Sequence, residues 1–397
     1  MACDVAVLGA GIIGLATAKS LAQLDPKLAI HVYEKEPGLG RFASGRNSGV
    51  LHAGFYNSPD SLKSKFCMSG NFELKKLISR NNIPILNCGK VVVTRSLNEI
   101  THLHRLFDRG QALGVKLEIL AENQLRFFEP LAKTKSQFIW SPNTSVSDPH
   151  LVIKSLANEC LKLGIKIFFN SKIEITESGH LKNHGHFLNE NWIVNCAGGR
   201  SLNIAQKFGA GSKYSQMPFL GTYVSIDSKK IPLRTLVYPV PHPVNPFLGV
   251  HTTLTINGIV KIGPTAIPVL GPEQNKLIDK ASLNDFLNFI RSTYAISRSN
   301  EHQLKGLTFN DVAKLNSKVL IKSASLLVPD VARVAGWKRY PAATRSQIVE
   351  LSTGKLEQDF IIEHSKRGTH VLNAVSPGWT SSLAFGKYIA LQVIEKL

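Results

Sequence analysis

Residues 4–22, DVAVLGAGIIGLATAKSLA, set the architecture of this chain. Asp4 to Leu8 form an apolar run of strand length, and the residues after Gly14 show the helical spacing of small and apolar side chains. The glycine turn Gly9-Ala10-Gly11-Ile12-Ile13-Gly14 lies between them. A strand, a glycine turn and a helix in this order predict a dinucleotide-binding site.

Each glycine of the turn has a predicted role. Gly9 permits the tight turn, Gly11 lets the backbone approach a pyrophosphate, and Gly14 lets helix and strand pack closely, while the helix N-terminus offers N–H groups to phosphates. Glu34 ends the next predicted strand, 20 residues after Gly14. An acid there accepts hydrogen bonds from ribose hydroxyls and repels a 2′-phosphate, so NADP is disfavoured.

The glycine turn alone leaves FAD and NAD open, and three later segments favour FAD. They are a loop rich in glycine and hydroxyl residues, a small-residue turn after an apolar strand, and the start of the last predicted helix. Hydroxyls there are expected to cap the helix, whose N–H groups would face the N1/C2 carbonyl edge of a flavin. The candidate cofactor contacts in these segments are Ser44, Asn47, Ser48, Gly49, Ala197, Gly198, Gly378, Thr380 and Ser381.

Composition bounds the class of protein. The 397 residues include 43% hydrophobic residues, which excludes a disordered basic tail and predicts two or three lobes. Lysine and arginine number 47 against 28 acidic residues, so the net charge is +19. The five cysteines form no CxxC pair, which argues against a disulfide framework or a metal site and predicts a reducing compartment. No signal peptide or membrane-spanning run is evident, so a cytoplasmic location is predicted.

A longer segment carries a family resemblance. The residues from Ser44 to Tyr56, SGRNSGVLHAGFY, together with 238–241 and 246–251, resemble the L-2-hydroxyglutarate dehydrogenase/oxidase family of the FAD-dependent D-amino-acid-oxidase-like superfamily. The stretch 238–246 is proline-rich and is expected to be a rigid loop. Arg46 stands where that family often has histidine, and Trp379 where it usually has a smaller residue, which bears on substrate identity.

The resemblance implies an α/β fold in two parts. A discontinuous Rossmann-like domain that binds FAD non-covalently would comprise residues 1–80, 145–212 and 331–397. An inserted substrate domain built on an antiparallel sheet would comprise residues 81–144 and 213–330. The sequence is compatible, since Asn257-Gly258 between two alternating runs predicts a two-residue hairpin turn.

Oxidation of a 2-hydroxy acid needs a base for the hydroxyl proton and a cation for the carboxylate. His251 and His52 are the candidate bases, because the resemblance places them in the site and an imidazole suits neutral pH. Arg345 falls where the superfamily places an arginine that binds the substrate carboxylate through two hydrogen bonds. Tyr56 and Tyr238 are weaker candidates for binding a second carboxylate.

Three functions remain open on the sequence. The leading one is oxidation of L-2-hydroxyglutarate to 2-oxoglutarate, with oxygen or quinone as electron acceptor. An amine or amino-acid oxidase is the second, and a flavoprotein acting on RNA is the third. The basic residues are dispersed, with no long basic run, so no nucleic-acid partner is predicted. The charge instead predicts attraction of a small carboxylate substrate and peripheral association with the inner face of an anionic membrane.

Overall fold

The glycine turn joins a strand to a helix, as predicted, and the larger sheets extend from that unit. The computed structural model describes residues 3–242, 247–299 and 311–397. Pro246, part of the predicted rigid loop and of the resemblance, lies outside the described residues.

The elements are numbered in chain order. The helices with described bounds, α1 to α9, are Ile12–Leu24, Leu62–Arg80, Ile100–Ala112, Leu125–Phe128, Pro149–Lys162, Ser201–Lys207, Leu283–Arg298, Ser317–Ser325 and Gly378–Ile394. The strands, β1 to β21, are Cys3–Leu8, Ile30–Tyr33, Val50–Leu51, Ile85–Leu86, Lys90–Val93, Glu118–Ala121, Gln137–Ser141, Ser145–Ser147, Lys166–Phe168, Glu174–Ile175, Leu181–Asn183, His186–Phe187, Glu190–Asn195, Tyr214–Asp227, Leu236–Pro239, His251–Leu254, Ile259–Gly263, Ile267–Pro268, Lys338–Glu350, Ile362–Ser365 and Gly368–Val371.

The first large sheet surrounds the glycine turn. Among the described residues it has six strands in the order β20-β21-β13-β1-β2-β9, and all neighbouring pairs are parallel except β20 with β21. Its central strand β1 is buried along nearly its whole length, as expected for a parallel strand covered on both faces. Helices α1 and α9 cross where Gly386 meets the backbone of Ala16. A side chain at Gly386 would separate the two helices.

The second large sheet is mostly antiparallel. Within the described part of the chain it contains nine strands, ordered β18-β14-β17-β16-β15-β5-β7-β6, with β19 paired to β14. The exception to the antiparallel pattern is the parallel pair β5 and β15. Residues 338–350 form β19 and were expected to belong to the third stretch of the FAD domain. In the structure, β19 pairs with β14 of this second sheet. Strand β19 therefore links the third stretch to the substrate-side sheet.

The predicted fold class, an α/β protein with a parallel nucleotide-type sheet and an antiparallel partner sheet, is confirmed. One turn differs from the prediction. The hairpin of β16 and β17 forms, but Gly258 N–H donates to the Thr255 carbonyl at 3.2 Å, so Ile256 and Asn257 are the central residues. Only Gly258 takes positive φ there, at +68°, whereas a two-residue Asn-Gly turn requires positive φ at both residues.

Three further observations concern the cysteines, metals and membranes. All five cysteines are buried and free. Across the described ranges, no cluster of three or more His, Cys, Asp or Glu side chains is arranged to hold a metal ion. Within those same ranges, no helix has both the length and the apolar character that a membrane span requires.

Candidate active site

A cavity of about 1040 Å³ extends from the glycine turn to the second sheet. Its wall contains Gly9 and Gly11 at one end and His251 and Arg345 at the other. The site is therefore shared by both sheets. A deep cavity with a small number of convergent polar groups is the usual form of a cofactor and substrate site.

The glycine turn is shaped for close approach. Gly9 has φ of +103°, and a Cβ there would lie 2.7 Å from the carbonyl oxygen of Cys196. A Cβ on Gly14 would lie 2.0 Å from the Gly9 oxygen, so Gly14 serves the packing of helix on strand, as predicted, and is absent from the cavity wall. Gly11 lines the cavity just before α1, and a side chain there would project toward Ser44, 3.2 Å from its Oγ.

Glu34 stands at the end of β2 with its carboxylate held by the backbone. Its Oε2 accepts a hydrogen bond from the N–H of Ala10 at 3.0 Å, and its Oε1 accepts one from the N–H of Glu36 at 3.0 Å. Burial raises the pKa of this carboxyl group above its ordinary value. Each oxygen keeps a lone pair for a further donor, which a ribose hydroxyl can supply.

The loop after β2 closes over the glycine turn. Ser44 Oγ accepts a hydrogen bond from the N–H of Ile12 at 3.0 Å, which ties the loop to the start of α1. Ser44, Asn47 and Ser48 all line the cavity. Gly49 does not, because it packs against β8, where a Cβ would lie 2.2 Å from the Ser147 oxygen.

The start of α9 also faces the cavity, through Gly378 and Thr380, and Ala197 and Gly198 line it nearby. The predicted side-chain cap is wrong, since no hydroxyl caps α9. Thr380 Oγ1 instead donates to the Val50 carbonyl at 3.1 Å and accepts from the His52 N–H at 3.2 Å. The Gly378 N–H donates to the Val375 carbonyl at 2.8 Å, so the N–H groups of Trp379 and Thr380 are the ones left available at this end of α9. Ser381 is buried but absent from the cavity wall.

His251 begins β16 and is 6% exposed. Its Nδ1 lies 2.9 Å from the Gly249 carbonyl oxygen, an acceptor, so Nδ1 carries the proton and Nε2 is left with its lone pair. Burial, together with the positive charges of Arg345 and Lys90, lowers the pKa of His251 to about 3, although the Gly249 bond opposes the shift. His251 is therefore a neutral imidazole near pH 7.

His52 and Arg345 complete the polar end of the cavity. Burial, Lys90 and His251 lower the pKa of His52 to about 3, so it is neutral as well. Arg345 lies on β19 opposite Phe219 of β14, and its guanidinium carbon is 5.6 Å from the Phe247 ring centroid. In the described part of the chain, Arg345 has no carboxylate partner within ion-pair distance. The cavity therefore holds two neutral imidazoles and a cation that lacks a counter-ion in the described chain.

Sequence reasoning missed Lys90, the first residue of β5. Its side chain is fully buried, and its Nζ finds no hydrogen-bond partner among the described residues. The Nζ lies 4.2 Å from the ring centroid of Tyr56, 4.6 Å from that of Phe55 and 5.0 Å from that of Tyr238. Burial lowers the pKa of Lys90 to about 7. The available signal was a lone lysine leading the apolar run Val91-Val92-Val93.

Comparison with known proteins places this chain in a family. A family model described as FAD dependent oxidoreductase matches residues 4–392. The L-2-hydroxyglutarate dehydrogenase of Salmonella houtenae is 32% identical over 400 residues, covering 98% of this chain and 93% of that protein. The mitochondrial L-2-hydroxyglutarate dehydrogenase of Nematostella vectensis is 32% identical over 424 residues, covering 99% of this chain and 91% of that protein.

Solved structures agree on the fold. The dithionite-reduced L-alpha-glycerophosphate oxidase of Mycoplasma pneumoniae with FAD bound has a TM-score of 0.75 to this chain at 21% identity, covering 100% of this chain and 95% of that one. At that identity the likeness concerns the fold alone. From the family model and the full-length relatives, the chain belongs to the FAD dependent oxidoreductase family, together with the L-2-hydroxyglutarate dehydrogenases.

Proposed function

We propose that this enzyme oxidises L-2-hydroxyglutarate to 2-oxoglutarate. The observation that carries the proposal is that Arg345, without a carboxylate partner in the described chain, lines the same cavity as the neutral imidazoles of His251 and His52. The full-length similarity to L-2-hydroxyglutarate dehydrogenases supports this choice of substrate. The comparisons do not favour the amine and RNA alternatives.

The cofactor of the enzyme is FAD. The residues present fit it, because the backbone at Gly9 and Gly11 is bare of side chains and Glu34 stands where a ribose would lie. We propose that Ser44, Asn47 and Ser48 hold the pyrophosphate side and that the backbone N–H groups of Trp379 and Thr380, in the first turn of α9, hold the ring side. When bound, FAD supplies the acceptor for the hydride that leaves Cα of the substrate.

Arg345 is proposed to bind the carboxylate next to the reacting carbon. A guanidinium offers two parallel N–H donors to one carboxylate, which fixes the substrate in orientation as well as in position. The bond that breaks is the Cα–H bond, and Cα is bonded to this carboxylate. A shift of the carboxylate therefore changes the position from which the hydride leaves. A cation without a counter-ion in the described chain also favours an anionic substrate.

His251 is proposed to accept the hydroxyl proton. Its Nδ1 proton is committed to the Gly249 carbonyl, so Nε2 is the atom that can receive a proton. The proton moves to Nε2 while the hydride leaves Cα, and the C–O bond becomes the carbonyl of the 2-oxo acid. His52 is proposed to contact the same hydroxyl or the adjacent carboxylate as a second neutral imidazole.

Tyr56 is proposed to bind the second carboxylate. It lines the cavity, and its hydroxyl is buried without a hydrogen-bond partner among the described residues. A buried hydroxyl left unpaired costs free energy, which a carboxylate of the substrate would recover. Burial raises the pKa of Tyr56 far above its ordinary value, so the group remains a donor.

The domain division also stays a proposal: 1–80, 145–212 and 331–397 for FAD, and 81–144 and 213–330 for the substrate. It is supported by the origin of the six-stranded sheet, whose strands come from residues 3–33, 166–195 and 362–371. FAD is proposed to be held non-covalently. Denaturation and filtration should release the yellow colour into the filtrate, and colour retained on the polypeptide would contradict this.

Oxygen or quinone is proposed as the electron acceptor, and the enzyme is proposed to act in the cytoplasm, peripherally bound to an anionic membrane. The net charge of +19 supports attraction to such a surface. Reoxidation of the reduced enzyme by air and by a quinone analogue separates the two acceptors. Faster reoxidation by the quinone would identify a dehydrogenase.

The test of the function is anaerobic mixing with both enantiomers of 2-hydroxyglutarate. The L enantiomer should bleach the flavin absorbance and yield 2-oxoglutarate in equal amount to the FAD reduced. D-2-hydroxyglutarate, glycine and D-amino acids serve as controls on the same preparation. Bleaching by an amino acid in place of L-2-hydroxyglutarate would contradict the proposal.

A further inference from the structure

Helix α7, Leu283–Arg298, exposes an apolar outer face. The residues buried against the body of the protein are Asp285, Asn288, Ser292 and Ala295, and Phe289 and Ile296 pack partly buried beside them. The inner face is therefore half polar, and several large side chains point outward. Those exposed on the helix are Leu283, Phe286, Leu287, Ile290 and Tyr294. A surface helix normally exposes polar side chains, so an outer face this apolar is unusual.

Specific polar contacts fix the orientation of the helix. Asp285 is 1% exposed and forms an ion pair with Arg200. The Asn288 side chain donates to Asn203 Oδ1 at 3.3 Å, and its carbonyl accepts a hydrogen bond from Ser215 Oγ at 3.0 Å. A rotation that buried the apolar side chains would break these contacts and expose their partners. The inner face is therefore committed to the protein.

The outward side chains form one continuous stripe. At 3.6 residues per turn, the five exposed apolar residues of α7 fall within a stripe about 100° wide. The loop before the helix exposes two further apolar side chains, Leu277, 48% exposed, and Ile278, 89% exposed. We call this set, Leu277, Ile278, Leu283, Phe286, Leu287, Ile290 and Tyr294, the α7 surface. Contiguous apolar surface of this kind marks an interaction site.

Charge selects the partner of the α7 surface. Between residues 276 and 298 the exposed basic side chains are Lys276, Lys280, Arg291 and Arg298. Asp279 is the exposed acid of that segment, and its carboxylate already accepts hydrogen bonds from the backbone of Asn275 and Lys280. A second copy of this chain would bring the same positive charges together. An anionic partner is favoured instead.

The α7 surface also adjoins the cavity. Ser282, which caps the N-terminus of α7, lines the cavity together with Pro272 and Glu273. A lipid surface seated on α7 would thus lie beside the cavity wall. That position suits a lipid-soluble electron acceptor.

We propose that the α7 surface inserts its apolar side chains into the interface of an anionic lipid bilayer, with Lys276, Lys280, Arg291 and Arg298 on the headgroups. The inference rests on the peripheral association proposed above and names the surface responsible for it. It requires no membrane-spanning helix, because an apolar stripe flanked by basic residues lies in the plane of the interface.

The experiment measures co-sedimentation of the FAD-loaded full chain with phosphatidylcholine vesicles, with and without phosphatidylglycerol. The wild type should bind the anionic vesicles at least about tenfold more tightly, and added salt should weaken that binding. The double variant Ile278→Ser/Leu283→Ser should lower binding at least about tenfold. Lys280→Gln/Arg291→Gln should lower it by about fivefold for each charge removed.

Matched controls lie on other elements. Leu97→Ser/Phe127→Ser changes apolar side chains of similar exposure, 67% and 68%, and should bind like the wild type. Lys116→Gln/Lys162→Gln removes two exposed charges elsewhere and should retain more binding than Lys280→Gln/Arg291→Gln. Equal loss in test and control variants would overturn the proposal, because total charge or hydrophobicity would then explain binding.

Other outcomes would overturn it as well. Equal binding to neutral and anionic vesicles, or no binding to either, would contradict an anionic lipid surface as the partner. A lower Tm of Ile278→Ser/Leu283→Ser relative to its control would mean that the stripe packs within the chain, and a change from dimer to monomer would mean that a second copy covers it. Flavin reduction by L-2-hydroxyglutarate is measured separately on every variant without vesicles. If the wild type does not bind vesicles but reduces its flavin normally, membrane binding is contradicted and the oxidation of L-2-hydroxyglutarate is not. If the wild type binds vesicles but its flavin is not reduced, the proposed oxidation is contradicted and the α7 surface is not.

Discussion

The ring of Tyr238 stacks on the imidazole of His251, with the ring centroids 3.8 Å apart and the planes 19° apart. The Gly249 carbonyl holds the same imidazole at Nδ1. One contact fixes the plane of the ring and the other fixes its tautomer, so Nε2 keeps one direction and one protonation state. A base prepared in this way spends little free energy on reorientation during the reaction.

His251→Gln should lower the rate of flavin reduction by about 10² to 10⁴, the range for loss of a general base. The KM should change much less, since the carboxylates are held elsewhere. Stopped-flow absorbance of the flavin under anaerobic conditions measures the rate. Tyr238→Phe keeps a stacking ring and is the control. A rate for His251→Gln within a few-fold of the wild type would assign the base to another group.

The acid limb of kcat/KM should lie far below pH 6.5. The lowered pKa of His251, about 3, means that the free enzyme holds a neutral imidazole until the solution is strongly acidic. The same shift predicts that His251 destabilises the fold as pH falls, because below pH 6.5 the unfolded chain takes up a proton that the folded chain does not. A pH series of kcat/KM checks the first point and thermal unfolding between pH 4 and 8 the second. A downturn centred at pH 6.5 would contradict the burial of the imidazole.

Arg345→Lys should raise KM and lower kcat/KM by about 10 to 100-fold, because an ammonium cannot form the two parallel hydrogen bonds of a guanidinium. Arg339→Lys is the matched control, since Arg339 is an exposed arginine on the same strand, β19. Initial rates with L-2-hydroxyglutarate and a soluble dye acceptor provide both constants. Similar effects of the two substitutions would indicate a change in the strand and not in carboxylate binding.

The effect of Tyr56→Phe on KM should depend on the substrate. If its hydroxyl binds the second carboxylate, the variant should raise KM for L-2-hydroxyglutarate by about tenfold, the cost of one hydrogen bond to a charged group. The KM for L-2-hydroxybutyrate, which lacks that carboxylate, should change little. Equal increases for both substrates would place the role of Tyr56 in packing.

Lys90→Met should stabilise the protein and shift the pH dependence of kcat/KM. Burial of the charged Lys90 side chain makes folding less favourable. Because its folded-state pKa is lowered to about 7, the full free-energy cost applies below pH 7, and the cost decreases as pH rises toward 10.5. The Tm should therefore rise by about 2 °C or more at pH 6 and by less at pH 9. Removing the charge should also raise the pKa values of His52 and His251, which moves the acid limb of kcat/KM to higher pH.

Lys116→Met is the control for Lys90→Met, because that side chain is exposed and its Tm effect should not depend on pH in this way. Calorimetry at the two pH values and a pH profile of kcat/KM are the measurements. A lower Tm for Lys90→Met at pH 6 would show that the contacts with Phe55, Tyr56 and Tyr238 outweigh the cost of burying the charge.

Much of the nucleotide side could be predicted because its signals are local. The strand, turn and helix around Gly9, Gly11 and Gly14 follow from apolar spacing and from backbone positions that exclude a side chain. Glu34 follows from its distance along the chain. The role of the Thr380 hydroxyl could not be predicted, because its partners, Val50 of β3 and His52 just after that strand, lie more than 300 residues earlier in the chain.

The substrate side depends on contacts that a sequence does not display. The residue types at His52, His251 and Arg345 indicated base and carboxylate chemistry, but the pairing of β19 with β14 is what brings Arg345 to the cavity. The environment of Lys90 requires three rings from two distant segments, so a lone lysine before a strand did not reveal it.

The nucleotide turn and the apolar strands could be predicted from the sequence, since each depends on spacing within a few residues. Only the tertiary structure decided which face of α7 is buried, which strand carries Arg345 into the cavity and how far the pKa of Lys90 falls. A periodic pattern shows that a helix has an apolar side, but the ion pair of Asp285 with Arg200 determines which side of α7 faces the protein. Burial and charge act through space, and that proximity exists only once the chain has folded.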